Sequence, residues 1–156
     1  METKLSRSEL SEVSEIQLTY RNKVKWSLRP TICNSEDASK ILRQNWNEGT
    51  IEFVEEFRIL VLNRANQVLG IFLLSTGGQA GTIVDPKIIF VAALKANAAT
   101  VILAHNHPSG QLKPSDADIA ITKRLVQAGI ILDLQIVDHI ILTSEGYYSF
   151  ADSGLI

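Results

Sequence analysis

TVILAHNHPSGQLKPSDAD, residues 100–118, joins a short apolar run, a polar loop and the beginning of a helix. Residues 100–104 have the pattern of a strand that is buried on both faces. Ser115 is placed to cap a helix that we expect to run to about Ala128, where Gly129 ends it. The stretch therefore predicts a central strand whose last residues enter a loop in front of a helix N-terminus.

Two of the chain's three histidines, His105 and His107, lie where this strand ends. Side chains of extended backbone repeat every two residues, so both imidazoles point the same way. Asp118 lies about one turn into the next helix, and a loop that folds back brings its carboxylate to the same point. Two histidines and one carboxylate leave the fourth position of zinc to water, as in catalytic zinc sites. We therefore predict that His105, His107 and Asp118 hold zinc, although iron or manganese is not excluded.

An alternative interpretation gives these residues no metal. Ser115 and Asp118 also match the S-x-x-D arrangement that caps many helices, and the two histidines would then be incidental loop residues. Each feature alone favours this simpler interpretation, whereas their combination at this spacing favours the metal site.

The remaining sequence predicts an α+β domain with α/β/α-like layers. We expect helices at 36–46, capped by Ser35, and at 86–97, opened by the pair Asp85-Pro86. We expect strands at 57–62 and 68–74, which form a hairpin, and at 100–104, 130–142 and 147–150. Residues 1–34 are expected to form an N-terminal arm and an extended segment, and residues 35–156 the catalytic domain.

Composition restricts the class of protein. Of the 156 residues, 46% are hydrophobic and 21% are charged, as is typical of one globular domain. No apolar run approaches the ~18–20 residues that span a bilayer, and the N-terminus has no hydrophobic signal region. We therefore expect a cytoplasmic protein without membrane contact. The single cysteine, Cys33, excludes an internal disulfide and a cysteine-based zinc cage.

Nucleic acid is a weakly supported partner. The net charge of −2 gives no global attraction to a phosphate backbone. One local exception is the set Arg21, Lys23, Lys25 and Arg29, which shares odd parity along and just after residues 16–28, a stretch that we expect to be extended. A solvated strand face is the simpler interpretation, and a DNA contact is the alternative.

The same motif resembles a known family. His-x-His-Pro at 105–108 and Ser-x-x-Asp at 115–118 resemble the JAMM motif of JAB/MPN proteins, which include deubiquitinating and other isopeptide-cleaving enzymes. The similarity is closer to the bacterial RadC branch, through 105–110, 114–115, Asp138-His139 and Ser149-Phe150. It covers about residues 51–156 and implies a mixed, curved sheet with a helix on either side, similar to cytidine deaminase-like folds. Full-length RadC proteins carry an N-terminal helical region, so the chain resembles a stand-alone short form.

The resemblance also implies catalytic residues. The family places an essential glutamate two residues before a phenylalanine that begins the first central strand, which corresponds to Glu55 ahead of Phe57. Parity agrees, because Glu55 alternates in step with Phe57, while Glu56 is in step with Arg58 and could pair with it in solvent. Glu55 would be the general base and Ser115 a donor to the developing oxyanion. A simple surface role for Glu55 is the alternative.

We therefore expect a zinc-dependent metallopeptidase or isopeptidase that hydrolyses an amide bond in a peptide or protein. A metal-dependent DNA-processing protein, as the DNA-repair name of RadC suggests, and a non-enzymatic zinc-containing binding module are the alternatives. Asn106 stands where eukaryotic isopeptidases have Ser or Thr, so ubiquitin-like substrates do not follow. For His139, a core histidine bonded to a neighbour is favoured over a fourth ligand. The oligomeric state stays open.

Overall fold

The computed structural model of the chain describes residues 22–79 and 81–156, together with Ser14 and Gln17. These residues form one short 3-10 helix, three α-helices and five strands. In chain order they are the 3-10 helix Trp26–Leu28, α1 (Ser35–Gln44), β1 (Glu56–Leu62), β2 (Val68–Thr76), α2 (Pro86–Lys95), β3 (Thr100–Asn106), α3 (Asp116–Ile131), β4 (Gln135–Leu142) and β5 (Tyr147–Ser149). The expected α+β class is confirmed.

The strands form one mixed sheet in the order β2-β1-β3-β4-β5. β1 pairs antiparallel with both β2 and β3, β3 pairs parallel with β4, and β4 pairs antiparallel with β5. The parallel pair requires a crossover, and α3 supplies it. β3 therefore has a strand on each side, and all of its residues are buried.

Helices cover both faces of the sheet, as the sequence predicted. Alternate residues of β3 enter different cores, since Ile102 and Ala104 join the core that contains α1 residues, and Val101 and Leu103 join the core that contains α2 and α3 residues. We call these two surfaces the α1 face and the α2/α3 face. By the same alternation, His105 lies on the α2/α3 face and Asn106 on the α1 face.

The helix boundaries differ from the sequence prediction, and α1 and α2 both end two residues earlier than expected, at Gln44 and Lys95. α1 is capped by Asn34, whose side chain accepts the backbone N–H of Asp37 at 2.8 Å, so Ser35 is the first helical residue rather than the cap. α3 does not end at Gly129 but continues to Ile131, and β4 begins only at Gln135. The left-handed residue that follows α3 is Asp133, with φ of 55°.

The expected extended segment was wrong at residues 26–28. Trp26–Leu28 is a 3-10 helix rather than strand, and Arg29 turns its Nε back to donate to the Val24 carbonyl at 3.2 Å. Lys23 and Lys25 are exposed. Residue 16, residues 18–20 and Arg21 lie outside the described residues. No helix in the described part of the chain is both long enough and apolar enough to cross a membrane.

The role of Gly129 is close packing, which gives the first prediction. A Cβ on Gly129 would lie 2.3 Å from the carbonyl oxygen of Leu134, so Gly129→Ala should lower the free energy of unfolding by about 1–3 kcal/mol, the usual cost of overpacking. Alanine normally stabilises a helix relative to glycine. Urea denaturation measures the change. Gly70→Ala in β2, where a Cβ meets nothing within 4 Å, is the control and should not destabilise; a stabilising Gly129→Ala would contradict the packing argument.

Candidate metal centre

The end of β3 and the first turn of α3 bring the three expected ligands together. The Nε2 atoms of His105 and His107 lie 2.9 Å apart. Asp118 Oδ1 is 3.3 Å from Nε2 of His105, and Asp118 Oδ2 is 3.6 Å from Nε2 of His107. His105 is buried, and the other two are partly exposed. Among the described residues, these three form the group of side chains that could hold a metal ion.

Hydrogen bonds orient the His107 ring toward this point. Its Nδ1 lies 2.5 Å from the carbonyl oxygen of Gln111. A carbonyl only accepts, so Nδ1 carries the proton and Nε2 of the neutral ring carries the lone pair. The backbone N–H of His107 donates to the Leu142 carbonyl at 2.9 Å, which ties the residue to the end of β4. The ring therefore presents an electron pair to the centre.

The ionisation states of His105 and Asp118 also suit a cation. Burial lowers the pKa of His105 to about 4, so the ring is neutral at pH 7. Burial alone would raise the pKa of Asp118, but interactions with His107, His105 and Ser115 outweigh it and hold this pKa well below its usual range. Interaction with the Asp118 carboxylate raises the pKa of His107. A neutral imidazole and an ionised carboxylate are the forms that coordinate metals.

Ser115 and Asp118 also form the helix cap that was the alternative interpretation. Both the backbone N–H and the hydroxyl of Ser115 donate to Asp118 Oδ2 at 2.7 Å, and the backbone N–H of Asp118 donates to Ser115 Oγ at 3.1 Å. This capping box leaves Oδ1 facing His105. The cap and the ligand cluster therefore coexist, and the cap holds the carboxylate in the orientation that the cluster requires.

Glu55 lines the same cleft as His107, Ser115 and Asp118. It immediately precedes β1, and its backbone exchanges hydrogen bonds of 2.8–2.9 Å with Gly77 and Gly78 at the end of β2. Burial raises the pKa of its half-buried carboxyl, the charge of Asp118 adds to this rise, and His107 opposes it. The structure thus brings the expected base into one cleft with Ser115 and two of the metal-ligand candidates, His107 and Asp118, while His105 is buried behind them.

Glu56 departs from the expectation of a solvent-facing pair. Its Oε2 does accept two hydrogen bonds from Arg58, at 3.0 and 2.7 Å, but Glu56 is only 7% exposed. The guanidinium of Arg58 lies over the Trp46 ring, 4.7 Å from its centroid. The prediction assumed that the second face of β1 meets solvent. It fails because the segment that contains Trp46 covers that face.

Asn106 is a residue whose role the sequence did not reveal. It is fully buried on the α1 face. Its Oδ1 accepts the backbone N–H of Glu56 at 2.7 Å, and its Nδ2 donates to the carbonyls of Ile51 and Val54 at 2.7 and 2.8 Å. These bonds flank Glu55 on both sides. The sequence did contain a signal for this role. Asn106 lies between two candidate ligands at the end of a buried strand, so alternation places its amide on the other face of the sheet, inside the protein.

His139 is a core residue bonded to its neighbours, as expected. It is 0% exposed, with Nε2 2.8 Å from Nδ1 of His105 and Nδ1 2.6 Å from the hydroxyl of Thr122. Burial lowers its pKa well below the usual value. Asp138 and Ser149, which the resemblance also highlighted, form a separate buried pair in which the Ser149 hydroxyl donates to Asp138 at 2.7 Å. Sequence reasoning missed Thr122.

The mixed sheet and the His-His-Asp cluster define a JAB-type domain. Residues 32–155 match the family model described as the RadC-like JAB domain. The chain therefore belongs to the RadC-like JAB domain family. This match begins earlier than the resemblance drawn from the motifs, which covered about residues 51–156.

Similar proteins come from several bacteria. The chain is 44% identical to a UPF0758 protein of Flavobacterium johnsoniae over 147 residues, which is 94% of this chain and 63% of that protein. It is 48% identical to UPF0758 protein YeeS of Escherichia coli K12 over 102 residues, 65% of this chain and 69% of that protein. With UPF0758 protein STH371 of Symbiobacterium thermophilum it shares 42% identity over 66% of this chain and 44% of that protein.

The chain thus spans less than two-thirds of the Flavobacterium protein and less than half of the Symbiobacterium protein. Their names state no activity. Family membership and a candidate metal cluster are therefore established, and the reaction has to be argued from the chemistry of the cleft.

Asn106 supplies the second prediction. Asn106→Ala leaves the buried carbonyls of Ile51 and Val54 and the N–H of Glu56 without their side-chain partner. Each unsatisfied buried group costs ~1–3 kcal/mol and three groups are affected, so the free energy of unfolding should fall by at least about 3 kcal/mol in denaturant titrations. Asn45→Ala, which removes one exposed bond to a backbone carbonyl, is the matched control and should cost less than about 1 kcal/mol. An equal decrease in the free energy of unfolding in the two variants would show that the buried hydrogen bonds of Asn106 stabilise the fold no more than an exposed one.

Proposed function

We propose that this chain is a zinc-dependent hydrolase that cleaves amide bonds in peptides or proteins. The observation that carries the proposal is that Glu55 lines one cleft with His107 and Asp118, two members of the His105–His107–Asp118 cluster. Glu55 lies outside the ligand cluster. Three ligands and one separate carboxylate are the parts that metal-assisted hydrolysis requires.

The donor set fits zinc in both chemistry and spacing. Zinc bonds to nitrogen and oxygen are about 2.0–2.2 Å, so the ligand atoms of a tetrahedral site lie about 3.3–3.5 Å apart. Here the Nε2 atoms of His105 and His107 are 2.9 Å apart, and they lie 3.3 and 3.6 Å from Oδ1 and Oδ2 of Asp118, respectively, so the three side chains converge on one point. Among the residues that the structure describes, the cluster has three protein donors and no cysteine ligand, which favours an open, catalytic site over a closed, structural one.

Bound zinc would supply Lewis-acid polarisation of a carbonyl and of water. Glu55 would accept the proton from the attacking water and then transfer it to the leaving amine, and its raised pKa makes it a stronger base than an ordinary carboxylate. The hydroxyl of Ser115 lines the same cleft and would donate to the developing oxyanion, in exchange for its present bond to Asp118. Asp118 keeps the bond from the Ser115 backbone throughout.

A peptide or protein is the substrate class that the chemistry favours. The net charge of −2 gives no attraction to nucleic acid, and the basic residues near the N-terminus do not share a strand face in the described part of the chain.

We place the protein in the cytoplasm, since its one cysteine, Cys33, is free and exposed, a state that reducing compartments maintain.

The third prediction concerns metal content. Protein purified without added metal should contain about one zinc per chain, as measured by elemental analysis. His107→Ala and Asp118→Asn should each weaken zinc binding strongly, because the first removes a ligand and the second replaces a carboxylate with a poorer one. Asp116→Asn changes an exposed acid in the same helical turn and should bind zinc normally. Wild-type protein that binds no metal at micromolar concentration would rule the proposal out.

The fourth prediction separates the base from the ligands. Glu55→Gln should bind zinc normally, remain folded and lose ~10²–10⁴ of the hydrolytic rate, because glutamine cannot accept the proton. The assay needs a peptide or isopeptide, selected from a library, that zinc-loaded wild type turns over.

Glu52→Gln is the control for this variant. Glu52 is exposed and lies on the same segment, outside the cleft, so the rate should not change. Glu56→Gln is unsuitable, since it would disrupt a buried ion pair. Unchanged turnover in Glu55→Gln would place the base elsewhere, and loss of zinc would make Glu55 a ligand.

Wild type that cuts labelled DNA and no peptide would favour the nuclease alternative, and wild type that holds zinc and cuts neither would favour the binding module.

A further inference from the structure

A β-bulge in β4 places His139 beside the metal cluster. Val101 pairs with Ile136, and the next residue of β3, Ile102, pairs with Asp138, so Val137 is an extra residue in β4. The extra residue reverses which face each later side chain of β4 meets. Ile140 and Leu142 accordingly belong to the α1-face core, whereas Ile136 belongs to the other. His139 is thereby turned to the α2/α3 face, opposite Leu103 and next to His105.

The direction of the hydrogen bonds around His139 can be worked out from Thr122. The Thr122 hydroxyl lies 2.6 Å from the backbone carbonyl of Asp118, one helical turn earlier. A carbonyl only accepts, so the hydroxyl donates its single proton there. At its second contact, 2.6 Å from Nδ1 of His139, the Thr122 oxygen must therefore accept. Nδ1 of His139 consequently carries a proton.

The same reasoning continues to His105. His139 is fully buried, its ring lies against Phe57, Phe150 and His105, and a charged imidazole there would be costly. A neutral ring carries one proton, so Nε2 of His139 has the lone pair and accepts from Nδ1–H of His105 at 2.8 Å. His105 then has no proton on Nε2, the atom that faces His107 and Asp118.

We infer that His139 and Thr122 are positioning residues that hold His105 in its Nδ1–H tautomer and so reserve its Nε2 for a metal ion. The inference rests on the proposed metal site. These hydrogen bonds also link two of the candidate ligands. They run from His105 through His139 to Thr122, and the Thr122 hydroxyl donates to the backbone carbonyl of Asp118. The partner of a metal-binding histidine is usually a carboxylate, a carbonyl or water; here it is a second, neutral histidine whose proton is in turn fixed by a helical hydroxyl.

Removal of the Thr122 hydroxyl should exchange the donor and the acceptor in the hydrogen bond between His139 and His105. Without an acceptor at Nδ1, His139 would move its proton to Nε2 and donate to His105 Nδ1. His105 would then carry its proton on Nε2, where it must be displaced before a metal can bind. Loss of such a supporting partner typically weakens metal binding ~10–100-fold.

The test compares Thr122→Val, which keeps the shape, with Thr122→Ser, which keeps the hydroxyl. Long-range proton–nitrogen NMR of the chelator-treated protein reports the tautomer of each imidazole, and competition titration with zinc reports affinity. Wild type and Thr122→Ser should show Nδ1–H on both His105 and His139. Thr122→Val should show Nε2–H on His105 and a ~10–100-fold loss of zinc affinity. Rescue by serine is a result that a purely structural role of the methyl group would not give.

Two further variants make the test specific. Thr100→Val changes another buried threonine at the far end of β3 and should leave both the tautomer and the affinity unchanged. His139→Phe keeps an aromatic ring in the core, removes the acceptor and should also weaken zinc binding. An unchanged His105 tautomer in Thr122→Val would overturn the inference, and so would unchanged zinc affinity in a variant whose tautomer has switched. If wild type binds no zinc, the proposed function fails, while the tautomers in the metal-free protein still decide whether Thr122 and His139 set the proton on His105.

Discussion

The last residues of β3 place consecutive polar side chains inside the protein, and the candidate site depends on how each is satisfied. An unpaired polar group in an apolar interior costs several times what a typical hydrogen bond returns. Asn106 meets this constraint with three backbone partners on the α1 face. His105 meets it with one nitrogen only, through His139. Its other nitrogen faces electron-rich atoms, which is a stable arrangement when a cation lies between them.

The two faces of β3 therefore position different parts of the candidate site. The α2/α3 face carries the two histidines toward the N-terminus of α3, where the helix dipole and the capping box favour the negative charge of Asp118. The α1 face carries Asn106, which anchors the segment from Ile51 to Glu56. Glu55 reaches the cleft from that segment. One strand thus positions the ligands directly and the proposed base indirectly, through opposite sides of the same backbone.

The parts of this arrangement that depend on local sequence were predictable. The alternation of His105 and His107, the cap at Ser115 and the apolar run before them are local patterns, and the structure has all three. What failed depended on contacts that the local pattern does not show. Gly129 looked like a helix end, but the carbonyl of Leu134 packs against it. Glu56 looked solvent-facing because its cover, Trp46, lies on a different element.

The placement of His139 could not be obtained from the sequence for a related reason. Strict alternation from Ile136 through Val137 would put His139 on the α1 face, away from His105. Only the pairing with β3 shows that Val137 is bulged. One inserted residue in a neighbouring strand thus decides whether the candidate ligand His105 has a hydrogen-bond partner.

These hydrogen bonds have a consequence for the relation between metal and folding. Small zinc domains whose ligands are held by nothing else fold only when the metal binds. Here His107 is held by the Gln111 carbonyl, Asp118 by Ser115, and His105 by His139, and the two cores on either side of the sheet are built from apolar side chains. The geometry of the cluster is therefore set by the protein before any ion arrives. Metal binding would then stabilise the fold mainly by mass action, which is the behaviour expected of the proposed catalytic site rather than of a structural one.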